Sequence, residues 1–273
     1  MTCQISLGYT MPVYLCLPSC EPLLSDDPGD ASGPDHAWAQ LERDGYVLMY
    51  EREVGLEDFR HKFLQKYFND DAIMRHDPGD RPKDRRRARD VIRYQWRDGD
   101  LHLREFEKIT ITDRADIPGP REHARVMLLD DPEGERLIRR FLELVPPERR
   151  QRDGTFGVNL FRTFTDVVSK PHHDREQFVM LYVLDRIGGG AESYLYNAGD
   201  VTDDGLVSAG PVFKHQLSPG EILIFQDDLF KHGASPLEAS PGGTARRDVL
   251  VCTVDDSRTY LASSEDLATL TTI

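Results

Sequence analysis

The chain has 273 residues, with 34 Lys and Arg against 48 Asp and Glu, for a net charge of −14. That balance excludes a phosphate-backbone partner, because nucleic-acid binding needs a basic field on the domain, and there is no apolar run of the roughly 18 residues that would span a membrane. Cys3, Cys16, Cys20 and Cys252 offer neither a disulfide framework nor a zinc knuckle, and no Lys or Arg opens the chain as a secretory signal would, so a reducing, cytoplasmic setting is expected.

In chain order, residues 1–33 read as a flexible N-terminal extension, since Ser25-Asp26-Asp27-Pro28-Gly29-Asp30 is too polar and turn-rich to pack well. Residues 34–273 read as a single domain. Asp35 to Arg43 has helical spacing, with Trp38 and Leu41 on one side, and leads into a strand at Gly45-Tyr46-Val47. Leu56 to Phe68 carries Phe59, Phe63, Leu64 and Tyr67 at the period of an amphipathic helix. The charged run Asp80 to Asp90 reads first as a solvated loop; the sharper reading is that one of its arginines meets a substrate carboxylate. Val91 to Trp96 alternates as a strand and forms a hairpin over Arg97-Asp98-Gly99-Asp100 with part of Leu101 to Ile111. Arg93 and Gln95 share one face of that hairpin and become substrate contacts if the face lines a pocket.

Helical spacing is expected again over Pro120 to Leu129 and Glu133 to Leu144, the second ended by Pro146-Pro147. From Phe156 onward the pattern is strand, turn, strand: Gly157 to Phe164, Gln177 to Leu184, Ser193 to Tyr196, Val212 to Leu217, Glu221 to Phe225 and Asp248 to Val254. The fold class is therefore mainly β with flanking helices around a double-stranded β-helix, or jelly-roll, core.

Within that region, His172 and Asp174 stand two apart in Lys170-Pro171-His172-His173-Asp174. On a strand they face one side while His173 faces the other. His232 supplies a third ligand from a later strand end. Two imidazoles and a carboxylate on one face of an ion leave its other positions open, which suits non-haem Fe(II) and O2 chemistry. His215 competes with His232 but lies inside the strand-like run Val212 to Leu217, whereas His232 follows Asp227-Asp228. Of the adjacent Arg246 and Arg247, strand parity sends one inward, where a guanidinium can hold a carboxylate through two hydrogen bonds. Arg162, on the strand before the motif, faces either the pocket or an ion-pair partner.

Over residues 156–256 this pattern resembles the Fe(II)/2-oxoglutarate-dependent oxygenases, whose order is His-x-Asp, a gap of about fifty residues, His, then Arg; here residues 175–231 fill the gap. The resemblance implies Fe(II) on His172, Asp174 and His232, with 2-oxoglutarate as cosubstrate, its far carboxylate on Arg247, and O2. Gly188-Gly189-Gly190-Ala191-Glu192-Ser193, Asp227-Asp228 and Arg247-Asp248-Val249-Leu250 are similar to the bacterial branch that hydroxylates free L-amino acids, isoleucine 4-hydroxylase among them. The implied reaction is hydroxylation of an unactivated C–H in a small molecule, with 2-oxoglutarate converted to succinate. Desaturation or ring closure with the same cofactors, and a cupin-like metal-binding jelly roll without 2-oxoglutarate, are the alternatives. Two departures stand out: Arg175 occupies the position of the family's glycine after Asp174, and Val249 stands where some members carry Ser.

Overall fold

The computed structural model describes residues 34–68, 85–105, 110–111, 121–122, 125–164, 169–202, 205–239 and 241–254. The expected extension, residues 1–33, lies outside them, as does the segment after Val254. In chain order the elements are α1 (Pro34–Asp44), β1 (Tyr46–Tyr50), α2 (Phe59–Phe63), β2 (Arg85–Arg97), β3 (Asp100–Glu105), β4 (Thr110–Ile111), β5 (Arg121–Glu122) and α3 (Pro132–Glu143). Then come β6 (Asp153–Thr163), β7 (Ser169–His172), β8 (Phe178–Ile187), β9 (Gly189–Gly190), β10 (Ser193–Asn197), β11 (Phe213–His215), β12 (Glu221–Gln226), β13 (Phe230–Ala234), β14 (Leu237–Glu238) and β15 (Arg246–Val254).

A seven-stranded antiparallel sheet runs β1-β12-β8-β15-β6-β2-β3, and a four-stranded sheet runs β11-β10-β13-β7. Together they form the jelly roll. Period-two alternation divides the larger sheet into two faces. Met180, Tyr182 and Leu184 of β8, Ile222 and Ile224 of β12, and Leu250, Cys252 and Val254 of β15 pack with Phe59, Phe63, Leu137, Ile138 and Phe141 of the helices. Their alternates, Val179, Val183, Leu223, Phe225 and Val249, pack with Leu195 and Phe230 of the smaller sheet.

Local chemistry explains the ends of several elements. Asp131 caps α3 by accepting from the backbone N–H of Glu133 at 3.2 Å, with Pro132 in the first turn. The β2–β3 hairpin turns on Asp98 and Gly99, both at positive φ (52° and 91°), which suits a two-residue connection. Helix α2 continues as a π-helical turn, Leu64–Phe68, that buries Tyr67 and Phe68. No helix among the described residues is long and apolar enough to cross a membrane.

Three expectations change here. The basic run from Arg85 to Asp90 is not a solvated loop: it is the first half of β2, paired with β6 from Arg85↔Thr163 to Gln95↔Asp153. The described part of Pro120 to Leu129 is not helical, because Val126 and Leu128 are buried as alternate residues of an extended segment, and Asp90 accepts the Leu128 N–H at 2.8 Å. Asp174 is not on a strand, since β7 ends at His172.

Candidate metal centre

β7 lies at the edge of the smaller sheet, where Pro171 removes a donor without cost to a neighbouring strand. Its partner β13 places His172 directly opposite His232. The two rings stand 4.4 Å apart between centroids. Asp174, just past the end of β7, brings one carboxylate oxygen to 3.6 Å from His172 Nε2 and the other to 3.4 Å from His232 Nε2. The three ligand atoms lie within 4.8 Å of one another, and this is the cluster of possible metal ligands found among the described residues. Ligands bound at about 2.0–2.2 Å and roughly at right angles stand about 3 Å apart, so a small closure would seat a divalent ion.

The surroundings fix which atoms face that point. His172 Nδ1–H donates to the Lys170 carbonyl at 2.7 Å, which leaves Nε2 with its lone pair toward the cluster. His232 is buried, and its Nδ1 lies 3.5 Å from Asp227 Oδ1. Burial alone would lower the His232 pKa, but the carboxylates of Asp174 and Asp227 outweigh it and push it up to about 9. A cation at the cluster takes the place of that proton.

Asp227 also shapes the ligand loop. Its carboxylate accepts the backbone N–H groups of Asp174 at 3.2 Å, Arg175 at 2.6 Å and Glu176 at 3.1 Å. Its carbonyl takes His173 Nδ1 at 2.5 Å, turning that ring away from the cluster. Arg175 sits at φ 66°, a left-handed conformation that favours glycine. A residue with a side chain is held there by the hydrogen bond to Asp227.

The cluster opens on a cavity of about 290 Å³ between the two sheets. Arg247 reaches it from β15, 9 % exposed, with Nη2 donating to Ser193 Oγ at 3.4 Å and a buried Nε that has no hydrogen-bond partner among the described residues. Burial, and then the nearby Arg186, hold its pKa down at about 10. No carboxylate forms an ion pair with it among the described residues, so it is a buried cation suited to an arriving anion. Arg246 points the other way and pairs with Asp185.

The remaining sequence candidates fall elsewhere. His215 bonds through Nε2 to Glu221 at 2.9 Å. Arg162 forms a buried two-pronged pair with Asp248 at 2.7 and 2.8 Å, and Arg93 stands 3.7 Å from Asp153; neither lines the cavity. Besides Arg247, the arginines on the wall are Arg85, Arg87 and Arg89. Their signal was in the sequence as Arg-x-Arg-x-Arg, whose alternation puts all three on one face of a strand. Asp227 as a clamp had no such signal, because its partners are backbone amides.

Residues 36–253 match the 2OG-Fe dioxygenase family. Solved structures agree in fold: a bsmA homologue from Methylobium petroleophilum PM1 (20% identity, 82% of this chain and 94% of that one, TM-score 0.62) and IDO from Bacillus thuringiensis (15%, 82% and 99%, 0.57). The Fe(II)/α-ketoglutarate-dependent dioxygenase TqaL is 12% identical over 83% of this chain and 87% of its own, with a TM-score of 0.63. No curated protein matches the sequence.

Proposed function

Because the chain belongs to the 2OG-Fe dioxygenase family and is a dioxygenase that uses Fe(II), 2-oxoglutarate and O2, we propose that His172, Asp174 and His232 hold its iron and that Arg247 binds the far carboxylate of 2-oxoglutarate. The reaction we assign is hydroxylation of an unactivated C–H in a small substrate, a free L-amino acid. The observation that carries the reading is that a buried Arg247, with no carboxylate partner among the described residues, and the three-ligand cluster face one cavity.

When bound, Fe(II) and 2-oxoglutarate supply the oxygen activation and two electrons, and 2-oxoglutarate leaves as succinate and CO2. The chain's own part is position and dryness. His172 and His232 present Nε2 and Asp174 its carboxylate, so these three residues would hold the ion and leave it reachable from the cavity. Arg247 offers a planar fork that would hold the distal carboxylate and so orient the bound molecule in the cavity. Phe161, Leu181, Val249 and Val251 line the same cavity with apolar surface, and a drier site strengthens each charge pair. An arginine of the β2 wall takes the carboxylate of the amino acid.

The test is mass spectrometry of a free amino-acid panel incubated with Fe(II), 2-oxoglutarate and O2. The expected result is one product that has gained an oxygen atom, with succinate released in equal amount. Loss of two hydrogens instead would mean desaturation or ring closure, and succinate release stimulated only by peptides or nucleobases would reject the amino-acid assignment.

A further inference from the structure

We propose that Arg186 is a positioning residue of the cosubstrate site, a second guanidinium set beside Arg247, so that the far carboxylate of 2-oxoglutarate is held more firmly than by Arg247 alone. The inference deepens the functional reading above and rests on it. The two arginines stand directly opposite each other across β8 and β15, and directly opposed residues of an antiparallel pair put their side chains on one face. Arg247 lines the cavity; Arg186 lies one strand over, half-buried and set back from the lining.

A break in the pairing brings Arg186 to that face. From Val254↔Phe178 to Val249↔Val183 the register advances evenly, then it shifts by one residue, so that Asp248 meets Asp185 and Arg247 meets Arg186. Val179 and Val183 pack toward the smaller sheet, and counting on in twos would send Asp185 the same way and Arg186 the opposite way. The bulge reverses both. Asp185 pairs instead with Arg246, and Asp248 with Arg162 at 2.7 Å and with Arg246 at 3.5 Å. One face of these rungs therefore carries two carboxylates and two guanidinium groups. The other carries Arg186 and Arg247 and, among the described residues, no carboxylate in an ion pair with either.

Like charges directly opposite each other destabilise a sheet, the more so where burial removes the water that would weaken their repulsion. Arg186 Nη1 and Arg247 Nε are both buried, with no hydrogen-bond partner among the described residues. Burial, and then the neighbouring charge of Arg186, hold the Arg247 pKa down. A carboxylate seated on Arg247 accepts its fork and at the same time offsets the repulsion between the two cations. The anion is thus drawn by one guanidinium that it touches and by a second whose field it feels. The same arrangement costs stability when no anion is bound.

Two measurements on the full chain loaded with Mn(II) in place of iron separate this role from a merely structural one. In titration calorimetry with 2-oxoglutarate, Arg186→Gln should raise the dissociation constant about tenfold, equivalent to 1.4 kcal/mol, and leave Mn(II) affinity unchanged. Arg186→Lys, which keeps the charge and loses only the fork, should restore most of the affinity. In thermal unfolding without cosubstrate, Arg186→Gln should melt no earlier than the parent, because it removes a repulsion. A dissociation constant for 2-oxoglutarate that Arg186→Gln leaves unchanged would overturn the proposal while the functional reading stood. So would a variant that melts earlier than the parent and binds 2-oxoglutarate no better with lysine than with glutamine at this position. Parent protein that binds no 2-oxoglutarate would overturn the functional reading itself, and the proposal with it.

Discussion

The two faces of the seven-stranded sheet are made by alternate residues of the same strands, yet they are composed differently. Toward the helices, β8, β12 and β15 present Tyr182, Ile222, Ile224, Leu250 and Cys252 against Phe59 and Phe141. Toward the smaller sheet, the apolar surface of Val179, Leu223 and Phe225 gives way at β15, β6 and β2 to Arg247, Asn159, Arg89 and Arg87. One face is assembled from apolar side chains, while the other buries charged and polar groups among its apolar ones. Stability and chemistry are thus separated by a one-residue step along each strand, and substitutions at neighbouring positions should fail in different ways.

The largest expected effect lies at the cluster. His172→Ala, Asp174→Ala or His232→Ala should abolish succinate production and stoichiometric iron binding while the circular dichroism spectrum is kept. Retained iron in any of the three would move the ligand assignment. Next comes Arg247→Ala, since removing one partner of a buried charge pair costs roughly 2–5 kcal/mol, or about 30-fold to several thousand-fold in affinity. The 2-oxoglutarate requirement should rise by at least the lower figure with iron binding intact. Arg246→Ala, one step along the strand, is the comparison, and its cosubstrate dependence should not change.

On the helix-facing side, Phe141→Ala should lower stability by about 3–5 kcal/mol, as large-to-small changes in packed cores do. Denaturant unfolding would measure it. The same variant at low temperature should keep its iron affinity, and a loss there would mean that the two faces are coupled. Smallest, and sharpest, is Asp227→Asn. It keeps the shape but removes the charge that gathers three amides, so metal affinity should fall about 10- to 100-fold, as for other changes behind a ligand. Arg175→Gly should return part of it in the double variant, because glycine adopts the left-handed turn without the clamp. If no affinity returned, the role of Asp227 would lie in its contact with His232 alone.

Much of this was legible before the fold. Strands β6, β8, β10, β12 and β15 and the helix Pro132–Glu143 announce themselves because buried faces impose a period. Charge hid the first half of β2, where Arg86, Ala88 and Asp90 alternate with three arginines and leave almost no apolar signal to count. Asp174 read as a strand residue because parity is the simplest way to bring it to His172; the loop does the same through Asp227, a contact 53 residues away that no local pattern encodes. The apolar residues of 120–129 mimic a helix only until Asp90 is known to take the Leu128 amide.

The place of β15 has a consequence for how the chain is made. It is the last strand described, yet it sits at the centre of the larger sheet, between β8 and β6. Before it emerges from the ribosome, β1, β12 and β8 can join on one side and β6, β2 and β3 on the other, with no ladder of hydrogen bonds across the middle. Such long-range closure is the slow event in β folds, and it leaves two open edges during synthesis. Arg247 arrives on that same strand, at its pairing with Thr163 and Arg186. The cavity wall that carries Arg247 is therefore completed by the step that closes the sheet, and a nascent chain that stops short of Arg246 holds two half-sheets without that arginine.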